Sequence, residues 1–203
     1  MATFGDRAIA AAGKYLGTPY AWGGGTVDGP SLGIRDGGVA DSFGDYLKVG
    51  FDCSGLTLYA AYQASDGTLR LPHLADLQRR MGQKIERGQE QPGDFIAFSD
   101  NNGMRYHHIG IYLGGGVLRS APQSGETVKD SPISNWASDT WEVRRFGEIG
   151  SSSTATTTTT DTGSTNSPVN VGASGNKSNF MAYVALGALA VVGLIIVFMT
   201  VGG

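Results

Sequence analysis

The hydrophobic period of this chain changes once, near residue 90, and that change constrains the fold more than any other feature. Before it, apolar residues recur at helical spacing. Over residues 6–16, Ala8, Ile9, Ala12, Tyr15 and Leu16 share one face, and Gly17 follows as a stop. Residues 53–64 repeat the pattern with Leu56, Tyr59, Ala60 and Gln63, and Asp52 stands at the N-cap position. A short helix is predicted over residues 74–81, ended by Gly82. After residue 90 the period becomes two. Residues 94–98, 108–113, 117–121 and 141–146 read as strands, and the glycines at 114–116 make a hairpin turn between the second and third. Helices first and strands afterwards predict an α+β domain with an antiparallel sheet. Residues 25–50, rich in glycine and aspartate, are expected to be a long loop.

Charge divides the chain into three parts. Residues 1–150 carry 14 of the 15 Lys and Arg, 17 of the 18 Asp and Glu, and all three histidines, so they form the predicted globular domain. Residues 151–179 have almost no large apolar side chain and cannot repay the entropy of ordering, which predicts a flexible Ser/Thr/Gly-rich linker. Residues 180–201 are 22 uncharged, mostly apolar residues. As a helix they would span about 33 Å, enough for a bilayer core. They predict one transmembrane helix, with small residues (Ala185, Ala188, Gly193) through which two copies can pack. The start of the chain, with Asp6 and Arg7 and no apolar run, does not read as a signal peptide. The expected location is therefore a membrane, reached by a single C-terminal anchor. The net charge of −3 offers no basic stripe for nucleic acid. A single cysteine excludes an internal disulfide and a multi-cysteine metal site.

That cysteine, Cys53, is either a small buried hydrophobe or a nucleophile. It falls in the predicted first turn of a helix, where free N–H groups and the helix dipole favour an anion. A thiol nucleophile also needs a base. His108 opens a predicted strand and would be held rigidly, which predicts a thiolate–imidazolium pair with Cys53. His107 would point to the opposite face of that strand. His73, after Pro72, suits a structural or cleft-lining role.

The segments TPYAWGGG, FDCSGLTLYAAY, LPHLADLQRRMG, QPGDFIAF and HHIGIYLGGGVLRSAPQSG, in this order, resemble the NlpC-type cell-wall cysteine peptidases. The resemblance runs over residues 8–146 and implies a papain-like fold, action on peptidoglycan stem peptides, and no metal or organic cofactor. It implies Cys53 as nucleophile and His108 as general base. It implies Tyr20, with the Cys53 N–H, as holder of the oxyanion. Asp52, Ser54 and Trp22 fall where substrate contacts are expected; Asp52 serves equally well as a helix cap. The third catalytic position, twelve residues beyond the histidine, holds Ser120 where the family usually has His, Asn, Gln or Glu. A serine oxygen can accept from the imidazole Nδ1–H, but it is shorter and uncharged. The segment between Gly24 and Asp52 is longer than in compact relatives and would be a lid or wall of the cleft.

Three functions follow as expectations. The first is a membrane-anchored hydrolase cutting the D-glutamyl–diamino acid bond, at a cell surface or on a membrane-containing virus particle, where cutting the wall would serve phage entry. The second is a weakly active or non-catalytic peptidoglycan-binding protein. The third is an acyltransferase on the same core, which would need an apolar acyl groove.

Overall fold

A computed structural model describes residues 1–147. The predicted linker and membrane span, residues 151–179 and 180–201, lie outside the described residues. Among the described residues no helix is long and apolar enough to cross a membrane.

The first helix, α1 (Phe4–Gly13), starts earlier than its apolar spacing suggests. Thr3 accepts from the Asp6 N–H and the Asp6 carboxylate accepts from the Thr3 N–H, a reciprocal cap that sets the boundary. Residues 25–50 are not a bare loop. They contain β1 (Ser31–Leu32), a helical turn α2 (Val39–Ser42), a 3₁₀ turn at Asp45–Leu47 and β2 (Val49–Gly50), which pairs with β1. Their organiser is Asp45, wholly buried, whose carboxylate accepts from Lys48 at 2.8 Å and from the Ser124 hydroxyl at 2.6 Å. Sequence periodicity misses this because a polar anchor, not an apolar stripe, organises the segment.

The central helix α3 (Cys53–Ala64) has the predicted bounds. It is buried almost all round rather than along one face, and only Tyr62 and Gln63 escape full burial. Its start is held by close backbone approach. A Cβ at residue 55 would lie 2.1 Å from the carbonyl oxygen of Gly24 and 2.9 Å from His73 Nε2, so only glycine fits there. This contact gives a physical reason for the glycine in DCSG and for its glycine-rich counterpart after Trp22. The next helix, α4, is a single turn (Ala75–Gln78), shorter than expected. Buried Gln78 ties it to α3: its Oε1 accepts from the Thr57 hydroxyl at 2.6 Å and its Nε2 donates to the Ser54 carbonyl at 2.8 Å.

The sheet is antiparallel and six-stranded. Its strands are β3 (Gln83–Ile85), β4 (Phe95–Ser99), β5 (His108–Gly114), β6 (Val117–Ser120), β7 (Lys129–Pro132) and β8 (Thr140–Arg145), in the spatial order β3-β8-β4-β5-β6-β7. The four predicted strands are present. The edge strands β3 and β7 were not predicted, because QKI and KDSP lack apolar alternation. The PGD motif locks the sheet to α1. Gly93 (φ 93°) packs against Gly5, and buried Asp94 takes two hydrogen bonds of 2.7 Å from Arg145. One face of the sheet, with Phe95, Ala97, Ile109 and Ile111, joins α1 and α3 in the main core. The other face, with Ile96, Phe98, Leu118 and Val143, is covered by Tyr112, Ile133, Trp136 and Trp141.

Candidate active site

The start of α3 meets the start of β5 at a cleft of about 670 Å³. Its walls include Tyr20, Trp22, Cys53, His73, His108 and Trp136. Cys53 Sγ lies 3.9 Å from the carbonyl oxygen of His107 and receives the N–H of Ile109. The thiol therefore rests against the backbone on either side of His108.

Asp52 holds the helix end together. Its Oδ1 accepts from the Gly55 N–H at 2.7 Å and from the Ser54 hydroxyl at 3.0 Å, and it meets His73 Nε2 at 2.9 Å. Its Oδ2 accepts from the Gly23 N–H at 3.0 Å. The cap reading of Asp52 is thus observed, while the residue also faces the cleft. The contact with Asp52 raises the pKa of His73. Ser54 lines the cleft with its hydroxyl turned to Asp52.

Charge on the thiol and on the imidazole is disfavoured. Burial, together with the nearby Asp52 carboxylate, pushes Cys53 up to about 12 against the pull of backbone N–H groups. Burial, with His107 adding to it, pushes His108 down to about 3. Burial thus works against both charges of the expected thiolate–imidazolium pair, while the helix end and the backbone N–H groups favour the thiolate.

His108 is stacked on Trp136, with centroids 4.8 Å apart and planes 8° from parallel, and touches Phe98 at 5.9 Å. Its Nε2 is buried without a hydrogen-bond partner, and so is Ser120 Oγ. Ser120 makes no bond to the ring, so the expected bond between the two is absent. His107 also departs from expectation. It precedes β5 and lines the same cleft, within 3.7 Å of Asp100 and 3.6 Å of Asp139.

Tyr20 is buried in the cleft wall, and burial, with Cys53 and Asp52 nearby, raises its pKa. Trp22 is partly exposed at the rim and donates from Nε1 to Asp36 at 2.8 Å. The Ile34 N–H donates to the Trp22 carbonyl at 2.7 Å, and Ile34 lines the cleft. Residues 25–50 thus contribute a wall, as expected. Trp136 and Ile34 were not found from sequence. Trp136 sits in the aperiodic run SPISNWASD, and its only signal is the rarity of tryptophan.

Residues 17–145 match the NlpC/P60 family. The chain belongs to the NlpC/P60 family. It is 39% identical over 129 residues to the peptidoglycan endopeptidase RipA of Mycobacterium tuberculosis, covering 64% of this chain and 24% of that protein. It is 35% identical over 138 residues to the gamma-DL-glutamyl hydrolase of Bacillus subtilis, covering 67% of this chain and 28% of that protein. The chain thus spans about a quarter of the length of these two relatives. Among solved structures, the peptidoglycan hydrolase RipB of Mycobacterium tuberculosis superposes with a TM-score of 0.58 at 33% identity, over 71% of this chain and 65% of that one. RipD of the same organism, described as a non-catalytic NlpC/P60 protein adapted to peptidoglycan binding, gives 0.56 at 29% identity, over 70% and 96%. Helices packed on an antiparallel sheet are therefore the NlpC/P60 fold, as expected.

Proposed function

We propose that the protein is a cysteine peptidase that cuts an amide bond in peptidoglycan stem peptides. The observation that carries this reading is the convergence of Cys53, His108 and Tyr20 on one cleft, with the thiol lodged between the backbones of His107 and Ile109. The endopeptidase relatives support the substrate class, and the glutamyl hydrolase supports a bond beside D-glutamate. In this mechanism the thiol proton passes to His108 as Sγ attacks the carbonyl carbon, since burial disfavours separated charges before substrate is bound. The Tyr20 hydroxyl and the Cys53 N–H hold the oxyanion; one such donor is worth about 10²–10³ in rate. His108 then protonates the leaving amine and activates the water that releases the acyl-enzyme. Asp52, Ser54, Trp22 and His73 form the substrate side of the cleft.

The proposal includes membrane attachment through residues 180–201, supported by their 22 uncharged residues, and so places the cleft at a cell surface or on a membrane-bearing phage particle. Self-association of that segment through its small residues belongs to the same proposal.

The test is digestion of purified peptidoglycan by the wild-type protein beside Cys53→Ala, with products identified by mass spectrometry. New stem-peptide fragments from the wild type alone are expected, and they name the bond. Equal fragments from both proteins would end the thiol mechanism. Ser120 gives a second reading its footing: with no bond to His108, the site could serve binding without turnover. Peptidoglycan retention without fragments from either protein would favour that reading.

A further inference from the structure

A groove of about 260 Å³ adjoins the catalytic cleft. Tyr20, Trp22 and Gln123 line both spaces, so the two meet along these residues. One bank of the groove is made by residues 36–40, within the long segment between Gly24 and Asp52. The other is made by Gln123 and Ser124. These banks are distant in sequence, yet they are tied together. Wholly buried Asp45 accepts from the Ser124 hydroxyl at 2.6 Å. The Phe43 ring packs over Gly125, where an added Cβ would meet it at 3.4 Å. The groove is therefore formed before any ligand arrives, which is usual for small-ligand sites.

The chemistry of its lining narrows the ligand. Trp22 is 38% exposed, and its Nε1 donates to Asp36 Oδ2 at 2.8 Å, which fixes the indole. Asp36 Oδ1 accepts from the Gly38 N–H at 2.8 Å, and each carboxylate oxygen keeps accepting capacity. Val39, 77% exposed, and Ala40 add a small apolar surface on the same bank. An anion is disfavoured by Asp36, and a long acyl chain by the carboxylate and the small volume. A pyranose suits all of these features. Its C–H face lies on an indole, its hydroxyls donate to a carboxylate, and an acetamido methyl packs on Val39 and Ala40. A stem peptide supplies such a ring, because its amino end is joined to an N-acetylated amino sugar of the glycan strand. Each extended residue spans only about 3.3–3.6 Å, so that sugar lies close to a bond being cut near the start of the stem.

We propose that this groove is a subsite for the N-acetylated amino sugar that carries the stem peptide, so that the protein selects stems still attached to glycan over free stem peptides. Trp22 stands where peptide and sugar join, and Asp36 is a specificity residue that holds the indole and accepts from the sugar hydroxyls. The sugar is remote from the reacting carbonyl and is held equally before and during the reaction. Its contribution therefore falls in KM rather than in kcat.

The inference rests on the peptidoglycan reading for the identity of its ligand, and binding and turnover are tested separately. For binding, the full-length chain carrying ¹⁵N-labelled tryptophan is titrated with the peptide-free disaccharide of N-acetylated sugars. The Trp22 Nε1–H resonance, assigned with Trp22→Phe, should shift in the wild type and stay still in Ala40→Trp, whose ring fills the groove. For turnover, kcat/KM is compared on one stem peptide with and without its disaccharide. The wild type should prefer the sugar-bearing form by about tenfold or more, with the difference in KM. Ala40→Trp should bring that ratio near one, and Asp36→Ala, an exposed position, should lower it part of the way. A Trp22 signal that ignores the disaccharide, or equal kcat/KM on the two substrates in the wild type, would overturn the sugar subsite and leave the hydrolase reading standing. A preference that survives in both variants would also overturn it. A Trp22 shift from a wild type that cuts neither substrate would retain the subsite and remove the hydrolase reading.

Discussion

Two buried ends meet at the Cys53 thiol, and they are built in opposite ways. On the helix side, the Asp52 carboxylate has four partners within 3.0 Å: two backbone N–H groups, the Ser54 hydroxyl and His73. On the strand side, His108 is packed between aromatic rings and its Nε2 has no side-chain or backbone partner. Saturated hydrogen bonding fixes a backbone; an unsaturated ring in an aromatic slot keeps a titratable nitrogen available. The helix end is thus read as scaffold, and the strand end as the part that changes state.

The contrast is most sharply broken by exchanging the two roles. His108→Phe, which keeps a ring in the slot between Phe98 and Trp136, should lower the rate of peptidoglycan cleavage by about 10²–10⁴, with a small loss in the midpoint of chemical denaturation. Asp52→Ala should do the reverse to stability. It strips the cap from α3 and leaves buried N–H groups unpaired, so about 2 kcal/mol or more should be lost in a denaturation curve. If His108→Phe proved the more destabilising of the two, the division into scaffold and reactive end would fail.

A smaller effect is expected from the ring that covers His108. Trp136→Ala exposes the imidazole to water, which favours its charged form. The pKa should rise from about 3 towards the ordinary value near 6.5, and the acid limb of the pH–rate profile should move to higher pH. An unmoved limb would mean that burial by Trp136 does not set the basicity of His108.

The smallest effects lie in the pH dependence of stability, where the two histidines have opposite signs. His108 has a depressed folded pKa, so the unfolded chain takes up its proton first, and stability falls as pH drops from about 6.5 towards 3. His73 has a raised folded pKa, so its contact with Asp52 contributes fully below about 6.5 and is lost as pH rises through the raised value. His73 is partly exposed, and solvent weakens its share. Urea denaturation across this range should therefore flatten at the acid end in His108→Ala and at the upper end in His73→Ala.

Much of this molecule was legible in one dimension. The bounds of α3, the four central strands and the antiparallel sheet follow from short-range periodicity and from turn glycines. Asp52 as a cap follows from its place before a helix. The convergence of Cys53, Tyr20 and His108 was readable through motifs that recur together. What was not legible depends on contacts between distant segments. Asp45 organises residues 25–50 through Ser124, 79 positions away, and no local pattern marks such a partner. Trp136 reaches His108 across 28 residues of β-hairpin and turn (136 − 108), from a run with no period.

The sequence by itself determined which chemistry is present: one thiol, three imidazoles, and a serine where a longer polar side chain is usual. Only the tertiary structure decided the charge state of that chemistry and the partners it lacks. A pKa depends on how much water and which charges surround a group, and those are properties of packing. The helix end at Cys53 suggested an anion; burial and Asp52 work against it. The spacing of Ser120 suggested a direct bond to His108; the diagonal register of two strands left His108 Nε2 and Ser120 Oγ buried without that bond.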